Sequence, residues 1–120
     1  MVLVDTSVWI SHFRKANKEL QRLLLEDEVL SHPFIIGEMA CGLLRQRTEI
    51  LSLLQSLPQA KMAEFNEALE FIEHKSLQET GIGFIDVHLL AATLLSNASL
   101  WTLDKRLQKV TAKHHLLYTP

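Results

Sequence analysis

Three short apolar runs, each closed by a polar residue, constrain this chain more than any other feature. Val2-Leu3-Val4 stops at Asp5, Val29-Leu30-Ser31 at His32-Pro33, and Leu100-Trp101-Thr102-Leu103 at Asp104. Runs this short and this apolar read as strands buried on both faces. Stretches of helical periodicity separate them, and buried strands separated by helices pair in parallel with helices on both sides. The expected object is a three-layer α/β/α domain with a central, mostly parallel sheet. At 120 residues it is a single domain spanning 1–120, with no room for a second core. Leu116-Leu117-Tyr118 is a candidate last strand.

The helical stretches are legible from their apolar spacing. From Phe34 to about Arg45, Ile35, Ile36, Met39, Ala40, Leu43 and Leu44 form one stripe. Thr48 to Leu57 repeats the pattern. Ala63 to about Leu77 does so with Phe65, Leu69 and Ile72 expected inward. Ile85 to Leu95 is apolar nearly all round and reads as a buried helix, and Lys105 to about Lys113 as a polar one. Thr80-Gly81-Ile82-Gly83 reads as a turn, without the strand before it or the Lys-Ser/Thr ending of a phosphate loop. Trp9 and Trp101 are expected in the core, and Cys41 as a packing residue.

Ligand sites in parallel sheets lie beyond the carboxyl ends of the strands. Asp5 and Asp104 both stand where a strand gives way to a helix. Asp86 opens the most apolar helix, and Glu38 lies one turn into another. Packing the helices on a small sheet can bring these four carboxylates together. Two like charges about 4 Å apart repel by about 4 kcal/mol at an effective dielectric of 20, so such a cluster either protonates or binds a cation. An all-oxygen acidic site suits Mg²⁺ or Mn²⁺, which can polarise a phosphodiester and activate water. Each acid also has a structural reading: Asp5 and Asp104 as helix caps, Asp86 as a capping group and Glu38 as a solvated helix residue. His88, two residues after Asp86, fits either a substrate contact or a hydrogen-bonded core position. His114-His115 has no matching ligand pair for zinc.

Charge bears on the partner. Twelve Lys and Arg stand against 14 Asp and Glu, for a net charge of −2. Passive nucleic-acid binders carry a clear basic excess, so a phosphate ligand here needs a local basic patch or a metal. One cysteine excludes an internal disulfide and a cysteine zinc cluster. No apolar stretch reaches the roughly 20 residues of a membrane span, and the opening residues lack a signal peptide's basic region, so the expected location is cytoplasmic.

Taken in order, four segments resemble those of the PIN-domain ribonucleases, most closely the VapC toxins of toxin–antitoxin pairs. They are Met1-Val2-Leu3-Val4-Asp5-Thr6-Ser7-Val8-Trp9-Ile10, His32 through Gly42 around Glu38, Gly83 through Ala92 around Asp86, and Leu100 through Leu107 around Asp104. The resemblance runs the whole chain. It implies a PIN-like fold and a Mg²⁺- or Mn²⁺-dependent endoribonuclease in which Asp5, Glu38, Asp86 and Asp104 bind metal. Thr6 or Ser7 and Thr102 would support them. Cleavage would leave a 5′-phosphate and a 3′-hydroxyl. The resemblance further implies a homodimer and a VapB-type antitoxin. Arg14, Lys15, Arg45, Arg47, Lys105 and Arg106 are candidates for RNA-backbone contacts, with solvated helix surface as the alternative. Met39 and Gly37 depart from the commoner family residues beside the second acid, and neither removes a ligand.

Two other functions compete. One is a catalytically silent PIN-like module that binds protein or RNA, against which the intact quartet argues. The other is a phosphatase using Asp5 as nucleophile. That chemistry wants a second Asp two residues on, where this chain has Ser7.

Overall fold

The computed structural model describes all residues, 1–120. Its elements are β1 (Val2–Val4), α1 (Thr6–Arg14), α2 (Lys18–Leu25), β2 (Val29–Leu30), α3 (Pro33–Cys41), α4 (Arg47–Ser56), α5 (Phe65–Lys75), α6 (Phe84–Leu95), β3 (Ser99–Trp101) and α7 (Lys105–Lys113). The strands form one sheet in the order β2-β1-β3. Both pairings are parallel, and Leu3 stands beside Leu30 on one side and Leu100 on the other. The three apolar runs therefore supply the sheet, although β3 is Ser99–Trp101 and Thr102-Leu103 lie beyond it. Two isolated parallel bridges widen it, Ser31 with Gln59 and Leu100 with Leu117. The candidate last strand is thus reduced to one bridge. The Leu100 amide donates to Leu116 and the Tyr118 amide to Leu100.

The order of the strands positions the site. From β1 the chain steps one way to β2, then crosses back over β1 to β3. Right-handed crossovers in opposite directions put the two sets of helices on opposite faces of the sheet. The reversal makes the carboxyl ends of β1 and β3 the natural cleft. Asp5 and Asp104 sit beyond those two ends.

The core is a single cluster of 24 buried residues, including Leu3, Val4, Trp9, Leu20, Leu54, Leu89, Leu90, Leu100, Trp101 and Leu107. Both tryptophans are core residues, as expected. Helix α6 buries Val87 through Thr93 without a break, although its ends expose Ile85, Leu94 and Leu95. No helix is long and apolar enough to cross a membrane.

Three expectations fail, each for a local reason. Helix α3 ends at Cys41, not near Arg45: Gly42 turns extended, and its N–H closes back on the Met39 carbonyl. Leu43 is left fully exposed, and Cys41 is exposed as well, not packed. In α5, Phe65 and Leu69 face outward at 63% and 43% exposure, while Ala68 is the buried residue. Apolar residues at 65, 68, 69, 71 and 72 cover two adjacent rows of the helix. Packing on α6 selects the row of Ala68, Phe71 and Ile72, where a small residue permits close approach.

Leu3 is completely buried between the two neighbouring strands. Leu3→Ala is expected to cost about 3 kcal/mol in urea unfolding, and Leu43→Ser less than about 0.5 kcal/mol. Equal losses would mean that the core is not centred on β1.

Candidate active site

Asp5 follows β1 and precedes α1 but makes no side-chain cap bond. It is 7% exposed. Its Oδ2 instead accepts from Ser7 Oγ at 2.8 Å and from Thr102 Oγ1 at 2.7 Å. Both hydroxyls are tied in turn. Ser7 Oγ accepts from the Leu103 amide at 2.9 Å, and Thr102 Oγ1 from the Asp104 amide at 3.1 Å. The ends of β1 and β3 are thus laced through one carboxylate oxygen. Burial of a charged group on two hydroxyl donors is tolerable because charge-assisted bonds replace part of its hydration. No hydrogen bond engages the other oxygen, Oδ1.

The remaining acids repeat this division of labour. Asp104 is a true cap, since its Oδ1 accepts from the Leu107 amide at 2.9 Å. Its structural reading is correct, and Oδ2 remains. Glu38, exposed on α3, accepts from Thr6 Oγ1 at 3.0 Å, which ties α3 to α1. Thr6 and Ser7 therefore serve different acids. Asp86 stands in the first turn of α6, partly buried. Its pKa is pushed from the ordinary 3.8 to about 6, by burial first and then by the charges of Asp5, Asp104 and Glu38; the Gly83 N–H beside it pulls the other way. All three other acids act on this one carboxyl. Asp5, Glu38 and Asp104 thus lie within electrostatic reach of Asp86.

The donor set suits a hard divalent cation: four carboxylates, no sulfur, and a repulsion that positive charge relieves. No three of these side chains stand close enough to grip one ion directly. Mg²⁺ keeps several of its waters and takes only one or two carboxylates directly, so one or two of these acids would suffice to hold it.

His88 is 4% exposed, with its ring 4.7 Å from Phe84 and 4.9 Å from Phe34. Burial lowers its pKa, and its Nδ1 has no partner. His32 ends β2 and caps α3 through Nδ1, and burial together with the nearby His88 lowers it to about 4. These two rings and the two phenylalanines form an aromatic ladder, of which the contact between α3 and α6 leaves no trace in local spacing. Of the candidate RNA contacts, Arg14 and Arg45 line a groove of about 890 Å³ with Glu38, Ile10 and Phe13. Arg47 bonds the Gly42 carbonyl at 3.4 Å, and Arg106 the Gly81 carbonyl at 3.1 Å. Lys15 and Lys105 are exposed. A smaller cleft of about 440 Å³ between α5 and α6 contains none of the four acids.

The profile of the PIN domain matches residues 2–113. The chain belongs to the PIN-domain family. It is similar to Ribonuclease VapC32 of Mycobacterium tuberculosis, in both the CDC 1551 / Oshkosh and H37Rv strains. Identity is 42% over 114 residues, which covers 94% of this chain and 92% of each relative. This places the PIN domain described here in the VapC branch. The crystal structure of PAE2754 from Pyrobaculum aerophilum has the same fold, with a TM-score of 0.61 and 16% identity, over 91% of this chain and 78% of that one.

The raised Asp86 carboxyl sets a pH dependence. The native state holds this proton more tightly than the unfolded chain, so ionising Asp86 costs stability. The cost is absent below pH 3.8, grows up to about 6 and is complete above it. A shift of this size is worth at most about 3 kcal/mol, and solvent screening of a half-exposed group leaves on the order of 1 kcal/mol. In EDTA, Asp86→Asn is expected to raise Tm by about 3 °C at pH 7 and by nothing near pH 3.5. A gain equal at both pH values would mean that charge repulsion is not its source.

Thr102→Val removes a buried donor to Asp5. It is expected to cost about 2 kcal/mol in urea unfolding; an unchanged midpoint would mean that the bond carries no stability.

Proposed function

We propose that this PIN domain is a divalent-metal-dependent endoribonuclease that acts as the toxin of a toxin–antitoxin pair. One observation carries the reading: the charges of Asp5, Glu38 and Asp104 all bear on Asp86. They do so at the carboxyl end of a parallel sheet, in a chain 42% identical to a ribonuclease.

Asp5, Glu38, Asp86 and Asp104 would hold the ion, Mg²⁺ or Mn²⁺. When bound, it supplies the positive charge that lowers the pKa of an attacking water and stabilises the leaving oxygen. The chain's own part is positioning. Ser7 and Thr102 fix Asp5 through Oδ2 and leave Oδ1 without a hydrogen bond. Thr6 does the same for Glu38, and the helix cap for Asp104. Carboxylates held in this way need no reorganisation when substrate arrives. The products would be a 5′-phosphate and a 3′-hydroxyl. Arg14, Lys15, Arg45, Arg47, Lys105 and Arg106 surround the quartet in sequence and supply candidate contacts to the RNA backbone, which a net charge of −2 would otherwise repel. A VapB-type antitoxin would neutralise the activity in the cytoplasm, with the toxin as a homodimer.

The phosphatase reading weakens further, because Ser7 spends its hydroxyl on the very carboxylate that would act as nucleophile. The silent binding module is separated by experiment. Purified protein is incubated with total RNA and Mg²⁺ or Mn²⁺, beside EDTA and Asp5→Asn controls, and the cut ends are mapped. The expected result is cleavage to 5′-phosphate ends, reduced at least about 100-fold by either control. Folded, metal-loaded protein that binds RNA without cutting it would move the assignment to the binding module.

A further inference from the structure

Arg106 stands in the first turn of α7, two residues after Asp104, on the exposed side of the helix. Its side chain folds back over a turn 25 residues earlier in the chain. Nη1 donates to the Gly81 carbonyl at 3.1 Å. The end of the side chain lies close to the glycine: a Cβ at position 81 would come within 3.1 Å of Arg106 Cδ and Nη1 and 3.2 Å of Cζ. Gly81 also has φ of +80°, in the left-handed region that favours glycine. The bare α-carbon and the left-handed backbone of Gly81 let the Arg106 side chain come this close.

This turn sets where α6 begins. Thr80 bonds backward, its amide and hydroxyl both donating to the Leu77 carbonyl. Gly83 is the N-cap of α6, and Asp86 follows in the first turn with the Gly83 N–H beside it. The Arg106 bond is what ties the turn forward, to the helix that begins at Asp104. One side chain thus links the segment that places Asp86 to the segment that places Asp104.

We propose that Arg106 is a positioning residue: through Gly81 it fixes the separation of Asp86 and Asp104. The proposal rests on the metal-dependent nuclease reading of the quartet. It differs from a phosphate contact by Arg106, since here the guanidinium acts on the protein's own backbone. Groups that orient metal ligands in this way cost about 10–100-fold in metal affinity or activity when removed.

The test uses Arg106→Ala, Arg106→Lys, Gly81→Ala and the Arg106→Ala/Gly81→Ala double variant. Mn²⁺ affinity is read by electron paramagnetic resonance without RNA, and cleavage of an RNA cut by the parent protein is followed across RNA and salt concentrations. The positioning role is expected to weaken Mn²⁺ binding about tenfold and lower kcat about tenfold in Arg106→Ala, with KM unchanged within about twofold. Gly81→Ala also carries the strain of its φ of +80° and is expected to lose more, the double variant to match Gly81→Ala, and Arg106→Lys to recover part of the loss. Unchanged Mn²⁺ affinity, a raised KM and a shallower salt dependence in Arg106→Ala would overturn the proposal in favour of a phosphate contact. If the parent protein neither binds Mn²⁺ nor cuts RNA, the nuclease reading fails instead. Amide exchange in EDTA then decides the clamp alone. Faster exchange confined to Gly83–Val87 in both single variants, without addition in the double, supports it, and unchanged exchange overturns it.

Discussion

Everything in this molecule depends on β1 being held between two partners. Leu3 pairs in parallel with Leu30 and with Leu100, and the strands are only two or three residues long. So few ladder bonds cannot hold a sheet alone, and buried apolar surface on both faces does most of the work. The same pairing brings the residue after β1 beside the residues after β3. Asp5 and Thr102 meet because their strands do, and Asp104 is delivered next to them by the following cap. Fold and site share a single cause.

Four acids in one cleft work against stability. That opposition is clearest at Asp86, where burial adds to the charges of the other three acids. Asp5 has two hydroxyl donors, Glu38 has one, and Asp104 has a backbone amide. Asp86 has the Gly83 N–H set against burial and three negative neighbours. Three negative neighbours around a partly buried carboxyl are a cost that folding alone does not call for.

Much of this was legible in the residues. Apolar runs closed by polar ones located the strands, and parallel pairing then put Asp5 and Asp104 at the same end. Asp86 stood out because a carboxylate opening an apolar helix needs a reason. What the pattern did not carry was decided by tertiary contacts. The stripe of α3 continues in sequence through Leu44, yet Gly42 stops the helix and leaves Leu43 in solvent. Two apolar rows on α5 were equivalent until α6 selected the one with Ala68. The cap and the site readings of Asp104 competed on paper; the structure shows the cap through Oδ1 and leaves Oδ2 without a hydrogen bond. The pairing of Arg106 with Gly81 spans 25 residues and leaves no trace in local spacing.

The bond from Thr102 to Asp5 joins residues 97 apart. During synthesis the first acid leaves the ribosome long before its partner strand exists. At about 5–20 residues per second, some 5–20 s separate the two. Until β3 is made, β1 lacks one of its neighbours, and Asp5 lacks both the Thr102 hydroxyl and the Asp104 that shares its cleft. The acidic centre is therefore among the last features to assemble. Parallel pairing across 97 residues thus makes the acid cluster a product of the complete sheet and not of any local segment.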